Sequence, residues 1–492
     1  MGTIRKESTF STIAAYLGAV LGMVNKVILL PRFFELDEIG LVNITVTTAM
    51  TLAQLSLLGF GAITIKYFPY FKDKENNHNG FLGLGMGFGL SGFVLLTATF
   101  FIFKDPILAH LSQGSALLVE YYYIIFIIGF FFLIFNVYTY YLQVLFKAYV
   151  VNLIRDVGLR LGVTVSIFLY AANLVDFETF VVVFTAINCS ISLFIILYTS
   201  YLKQNFLRLK MRPDLRKRIR EIMGYGLIAF LGATSYSVIM TVDAIMVADL
   251  VSLEAAGIYT TVLYVTAFIL YPYRALTHIS SPKIGEFWKN NDVAGIQALY
   301  QRTSFLGLLF GLVLFLGVWI NRKNFVYLTT DEFAGAETIL LFLGLHKLLD
   351  SVSGLNSYIL VTSKIFRYDL IFNLILMVMA VVLNIWLIGI YGMDGAAMAT
   401  LIAGGFFQVI RMVFLWFAYK LNPLSLKMLP LLAFGGIAFG VDYLIPVIEP
   451  FWVDIIVRSG SFAVIYVGLV YVSKVSEDVN RMIHLVKSKI LP

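Results

Sequence analysis

Eight ionisable residues stand inside apolar runs of this chain, where a charge is hard to keep: Lys26, Arg160, Asp243, Arg274, His346, Lys347, Asp350 and Arg411, with Asp442 in a further apolar run near the C-terminus. At the centre of a bilayer such a charge costs on the order of 3 kcal/mol by insertion scales, so each is a candidate for function or for a buried pairing. Five of the nine are permanent or near-permanent cations and three are acids. That balance leans towards an anionic ligand, and the planar guanidinium of an arginine suits a phosphate better than an ammonium does.

The local setting of each residue leaves two readings open. Lys26 lies five residues before Pro31, so it either lines a polar cavity or snorkels to the outer interface. Asp243 sits more centrally, as a cavity group or as a hydrogen-bonded partner within its own lobe. Arg274 follows Pro272 by two residues; a bend there would turn Arg274 and His278 towards a cavity, and snorkelling to the cytoplasmic headgroups is the alternative. His346, Lys347 and Asp350 are spaced so that all three can meet on one helix face. They read as a neutralised structural group or as a proton- or sodium-sensitive switch for ion coupling. Arg411, three residues from Gln408, and Arg160, about two turns into its run, lie deep enough to line a cavity.

Other patterns read as architecture. The series Gly83, Gly85, Gly87, Gly89 and Gly92 lacks the Lys-Ser/Thr ending of a phosphate loop and suits close helix packing. Tyr121–Tyr123 fit an interfacial aromatic belt. Cys189 is the one cysteine, so neither a disulfide nor a cysteine-based metal site is available, and no cofactor or metal is expected.

The elements that must hold these residues follow from composition. In 492 residues, 60% are hydrophobic and 13% charged, too few to cover a soluble surface. Apolar runs of about 20 residues, the length that crosses a bilayer as helix, recur throughout. They are not alternating, which excludes a barrel. The expected spans are 11–30, 41–65, 80–103, 119–144, 153–172, 178–200, 222–248, 255–276, 303–320, 336–361, 368–390, 394–419, 428–448 and 455–473. The fold class is thus an all-α integral membrane protein of about fourteen transmembrane helices. Arg5 and Lys6 resemble a signal-peptide start, but no small-residue cleavage site follows, so the first run reads as a retained helix.

With an N-terminus inside, 26 of the 36 Lys and Arg fall in cytoplasmic segments, which supports both termini being cytoplasmic. The densest segment, 203–220, reads as a topogenic linker on anionic headgroups, not as a nucleic-acid site. The chain on either side of it repeats. A shift of 217 residues lays Leu36 and Gly40 on Leu253 and Gly257, Lys66 and Lys72 on Lys283 and Lys289, and Tyr141 and Lys147 on Tyr358 and Lys364. It also lays Lys26 on Asp243. Each copy holds an even number of spans, so the copies should run in the same direction around a central cavity. The organisation is an N-terminal six-helix lobe at 1–202, a basic linker at 203–221, a second six-helix lobe at 222–420, two further helices at 421–475 and a tail at 476–492.

Three segments carry a family resemblance: LEAAGIYTTVLYV (Leu253–Val265), SPKIGEFWKNNDVAGIQALYQRT (Ser281–Thr303) and YGMDGAAMAT (Tyr391–Thr400). In order and spacing they resemble the polysaccharide flippases, the Wzx-type O-antigen and capsule unit exporters, within the superfamily that also holds multidrug/cation antiporters and lipid II flippases. The resemblance implies two lobes around a cavity that opens alternately to each side of the bacterial inner membrane. It implies a substrate of polyprenyl-diphosphate-linked oligosaccharide, moved from the cytoplasmic to the outer leaflet, and no enzymatic activity. On that reading Lys26, Arg160, Asp243, Arg274 and Arg411 line the substrate cavity. Membrane lipids and the glycosyltransferases and polymerase of the same pathway are the expected partners of a monomer. A drug or cation antiporter would be expected to place a carboxylate among the first spans, where this chain has Lys26. A lipid II flippase is a further alternative. A membrane-embedded glycosyltransferase or polymerase would need a long outer loop, and the outer loops here are short.

Overall fold

The computed structural model describes residues 17–111, 116–145, 147–207, 219–442 and 444–475, with residues 14 and 480. Most of the basic segment 203–220, the start of the chain, the tail beyond 480 and the side chains of His278 and Asp442 lie outside the described residues. Within them all regular structure is helical. Among the described residues nine helices are long and apolar enough to cross a membrane, ten when Asp331–Val352 and Asn356–Thr362, bent by 49°, are taken as one span. Their outer faces carry large apolar side chains: Leu95, Ile102, Val165, Phe194, Val378 and Trp386 are each more than half exposed, as lipid-facing residues should be.

The described chain forms two compact units, one from Met1–Thr261 with Ala380–Met393, the other from Val262–Met379 with Asp394–Pro492. In the first, helix α1 runs over 17–33 and is π-helical at Val24–Leu29. Pro31 has no N–H for the carbonyl of Val27 and crowds it, so the register widens and the Leu30 N–H bonds to Asn25 O. Helix α2 (Leu36–Ser56) opens on a capping box of Glu35 and Glu38. It stops at Leu58 and Gly59, both left-handed at φ 47° and 81°, before α3 (Phe60–Phe71). Then come α4 (Phe81–Ile102), α5 (Lys104–Leu111), α6 (Ala116–Val144), α7 over 148–171 with a second π segment at Leu153–Gly158, α8 (Phe177–Tyr201), α9 (Ile219–Leu250) and α10 (Leu253–Ala267).

Helix α2 is central to this unit and packs on α4, α6 and α9. The expected small-residue packing of α4 is present: Gly85 lies against the Phe60 ring, Gly89 against Leu133 and Gly92 against the Ser56 carbonyl, while Gly87 faces open space. The 217-residue repeat also has a physical counterpart. A Cβ on Gly40 would collide with the Leu253 carbonyl, and one on Gly257 with the Leu36 carbonyl, so repeat-equivalent residues of α2 and α10 meet reciprocally.

The second unit holds α11 (Tyr271–Lys289), α12 (Val293–Ile320), α13 (Arg322–Leu328), α14 (Glu337–Val352), α15 (Asn356–Thr362), most of α16 (Arg367–Tyr419), α17 (Met428–Asp442) and α18 (Phe451–Ser473). Helix α16 covers two of the expected spans, 368–390 and 394–419, which meet at Gly392. Its φ of 59° and ψ of −137° suit glycine alone. The core is built on α12, with Leu308, Leu312 and Phe315 packed against Leu431, Phe462 and Tyr466, so the two helices outside the repeat belong here. The units part between Thr261 and Val262, a division by packing that differs from the division by repeat at 222. It falls there because α9 and the first turns of α10 bond to the first unit, through Tyr67 to Glu221 at 3.1 Å and Asn43 to Thr260 at 2.9 Å.

Candidate functional site

In the first unit the π segment of α1 is fastened to α7, just beyond that helix's own π segment, at the level of Lys26. Asn25 is buried; its Nδ2 donates to the Arg160 carbonyl at 2.9 Å and its Oδ1 accepts from the Thr164 hydroxyl at 2.8 Å. Gly22 leaves room for the Arg160 guanidinium, since a Cβ there would lie 2.9 Å from Nη1. Gly22 and Lys26 are four residues apart on α1, so the two cations stand within about one turn of each other. Among the described residues Arg160 makes no ion pair, and Asp156 on the same helix is taken by Arg155 at 3.3 Å. Two like charges in surroundings of low dielectric repel strongly, and an anion or a set of polar acceptors relieves that repulsion.

The Lys26 ammonium donates to Asn43 Oδ1, and Asn43 Nδ2 donates to Thr260 Oγ1 at 2.9 Å. Asp243, buried on α9, accepts from the Tyr259 hydroxyl and the Ala244 N–H, both at 2.8 Å. Lys26 and Asp243 are repeat equivalents, and so are Asn43 and Thr260. These four polar groups are thus two pairs related by the same 217-residue shift.

The second unit holds the other candidates. The chain reverses at Gly392, and the two ends of α16 meet: Arg411 Nη2 donates to Asp369 Oδ1, lies 3.3 Å from Asn373 Oδ1 and stacks 4.1 Å over the Phe407 ring. Asp369 in turn accepts from Asn373 Nδ2 at 3.1 Å. Arg411 is therefore neutralised and braced. Beside it, Asp350 accepts from Gln408 Nε2 at 2.7 Å and approaches His346 Nε2 at 3.6 Å, while Gln408 Oε1 accepts from Asn356 Nδ2 at 2.7 Å. Of the three residues expected on one face, His346 and Asp350 come together. Among the described residues Lys347 makes no ion pair. Arg274 is exposed near the start of α11, after the turn at Phe268–Leu270, with its guanidinium 5.9 Å from the Tyr271 ring centre.

Several partners escape a reading of charges alone. Asp369 opens an expected span, where it passes for a rim residue. Arg458 passes for an outer cation, yet it is buried, bonded to Asp454 at 2.7 Å and to the Ile445 and Pro446 carbonyls at 3.1 and 3.0 Å, with Asn324 completing the carboxylate at 2.6 Å. Asn25, Asn43 and Thr260 are neutral. The signal that would have found Asn43 and Thr260 is the repeat itself, since both are polar, lie in spans and stand 217 apart.

A family model described as polysaccharide biosynthesis protein matches residues 4–271 of the chain. No curated protein matches it. Among solved structures the chain is similar to the lipid II flippase MurJ in an inward closed conformation, with a TM-score of 0.74 and 16% identity over 95% of this chain and 99% of that one. It is also similar to a multidrug resistance MATE family transporter of the MOP superfamily. The inward-facing form gives a TM-score of 0.63 at 14% identity over 89% and 96% of the two chains. The outward-facing form gives 0.53 at 16% over 90% and 97%. At these identities the likeness carries the fold alone, and the expected all-α, multi-pass membrane class stands, with nine or ten long apolar helices among the described residues against the fourteen expected spans. With more than half of its length matched by the family model, the chain belongs to the polysaccharide biosynthesis protein family.

Proposed function

We propose that the protein is a flippase that carries a polyprenyl-diphosphate-linked oligosaccharide from the cytoplasmic to the outer leaflet of the bacterial inner membrane by alternating access. The observation that carries this reading is the pair Lys26 and Arg160, two cations gathered within about a turn of α1, with the lysine bonded to the neutral amide of Asn43. Hydrocarbon solvates neither a diphosphate nor a glycan, so a protein that moves them must supply cations and hydrogen-bonding groups inside its spans. A diphosphate bound by Lys26 and Arg160 relieves their mutual repulsion in one state more than in another, and that difference in affinity is what shifts a conformational equilibrium.

Asp243, the repeat equivalent of Lys26, and the exposed Arg274 contribute polar contacts along the route, and Arg411 holds its part of the site through Asp369. His346 and Asp350, with Lys347 beside them, are the titratable group for ion coupling. With fourteen spans both termini lie on one side, and the excess of Lys and Arg there supports a cytoplasmic position for them and for the basic linker. The protein works as a monomer beside the glycosyltransferases and polymerase of its pathway, and changes no covalent bond.

The test measures surface polysaccharide from cells carrying Lys26→Gln, Arg160→Gln or both as their sole copy, at matched membrane protein levels. The expected result is a loss in each single variant and a larger loss in the double. Normal export from all three ends the cationic-site reading.

A further inference from the structure

The hydrogen bonds around Asn43 tie the Lys26 ammonium to a second pair of helices. Asn43 and Thr260 are both buried, at 3% and 4% exposure. The Thr260 hydroxyl donates to its own helix, to Ala256 O at 2.7 Å, so towards Asn43 it can only accept. That fixes the Asn43 amide: its NH2 faces Thr260 on α10 and its oxygen faces the ammonium of Lys26 on α1. One residue therefore joins the cation to the junction of α2 and α10.

Three residues earlier on each helix comes the reciprocal backbone contact of Gly40 with Leu253 and of Gly257 with Leu36. The contact and the hydrogen bond form one continuous seam, built from Leu36, Gly40 and Asn43 on α2 and their repeat equivalents Leu253, Gly257 and Thr260 on α10. The seam lies in the N-terminal turns of both helices, which the proposed topology puts on the outer side.

We propose that Asn43 and Thr260 are a latch that keeps the N-terminal turns of α2 and α10 closed, and that an anionic headgroup opens it by drawing Lys26 away from Asn43. The inference rests on the flippase reading for the nature of that anion. With its ammonium partner gone, Asn43 Oδ1 is left as a buried acceptor without a donor. The state in which the seam parts and water reaches that oxygen is favoured in consequence.

Ile39 reports on the seam. It is fully buried and four residues before Asn43, so it shares that face of α2. In a Cys189→Ser background, Ile39→Cys in proteoliposomes is labelled from outside with a membrane-impermeant maleimide, with and without a polyprenyl diphosphate in the bilayer. Thr260→Val should speed labelling without ligand, by about five- to 150-fold, the range of coupling between linked sites. Thr260→Ser, which keeps the hydroxyl, should label at the parental rate. The diphosphate should speed labelling of the parent and leave Lys26→Gln unchanged. If Thr260→Val, with parental melting behaviour, labels no faster than the parent, the latch is wrong whatever the diphosphate does. If Thr260→Val labels faster and the diphosphate has no effect on any variant, release by an anion is wrong, and the failure then lies with the flippase reading.

Discussion

Arg411 tests how far a buried cation can be read as a binding group. Its residue exposure is 6% and the Asp369 side chain is 13% exposed, so neither charge is well hydrated. Arg411→Ala leaves the Asp369 carboxylate with one amide donor, from Asn373, and removes the stack on Phe407. Breaking a buried pair from one side costs roughly 3–5 kcal/mol, and the partial exposure of Asp369 puts the cost near the lower end, about 3 kcal/mol. For a unit of this size 1 kcal/mol moves the melting point by roughly 2–4 °C, so Arg411→Ala should melt about 6–12 °C below the parent. Replacing both charges, Arg411→Leu with Asp369→Asn, removes the desolvation cost along with the attraction and should recover most of that loss. Thermal unfolding of the purified protein in one detergent, followed by tryptophan fluorescence, gives the cycle. A melting point for Arg411→Ala within about 2 °C of the parent, or additive losses in the double variant, would refute the reasoning. The stable double variant also separates the roles, because a brace predicts that it still exports polymer and a substrate contact predicts that it does not.

Three other outcomes follow from the same physics. In a Cys189→Ser background, cysteines at Asn173 and Asp331 should label from outside intact cells and one at Lys210 should not; outside labelling at Lys210 would overturn the fourteen-span topology. Arg458→Ala leaves the Asp454 carboxylate buried at 2% residue exposure and should destabilise by roughly 3–5 kcal/mol in the same unfolding assay, whereas a surface role predicts almost no change. Hydrogen bonds from Thr179 hold the Asp176 carboxyl below its usual range, so the cap it gives α8 is present at neutral pH and lost as pH falls through that lowered value. Asp176→Asn, which keeps an acceptor, should lose this acid sensitivity, and an unchanged acid profile would count against the cap.

Helix as the only regular element of the described residues was legible because each span must satisfy its own backbone in hydrocarbon, and that requirement is written in run length. The repeat was legible too, through Leu36 and Gly40 set on Leu253 and Gly257. What one strand of text hides is pairing. Arg411 reads as a free cation until the turn at Gly392 brings Asp369 beside it, and that turn depends on a glycine inside an otherwise helical run. Arg458 and Asp454 look like rim charges because their burial comes from the loop carbonyls of Ile445 and Pro446, which no periodicity announces. Lys26 stands out by its charge, whereas its hydrogen-bonded neighbours Asn43 and Thr260 carry none and become visible only when the repeat is applied to neutral polar residues.

Reconstitution measures directly the proposed movement of a polyprenyl-diphosphate-linked saccharide between leaflets. Purified protein in vesicles containing a short-chain polyprenyl-diphosphate oligosaccharide is exposed to a lectin or glycosidase that cannot cross the bilayer. The fraction of saccharide accessible from outside is followed with time. Accessibility should rise beyond the outer-leaflet half with the wild-type protein, and Lys26→Gln with Arg160→Gln should hold it at the level of protein-free vesicles. Equal rates for the wild-type and double-variant proteins would contradict the proposal.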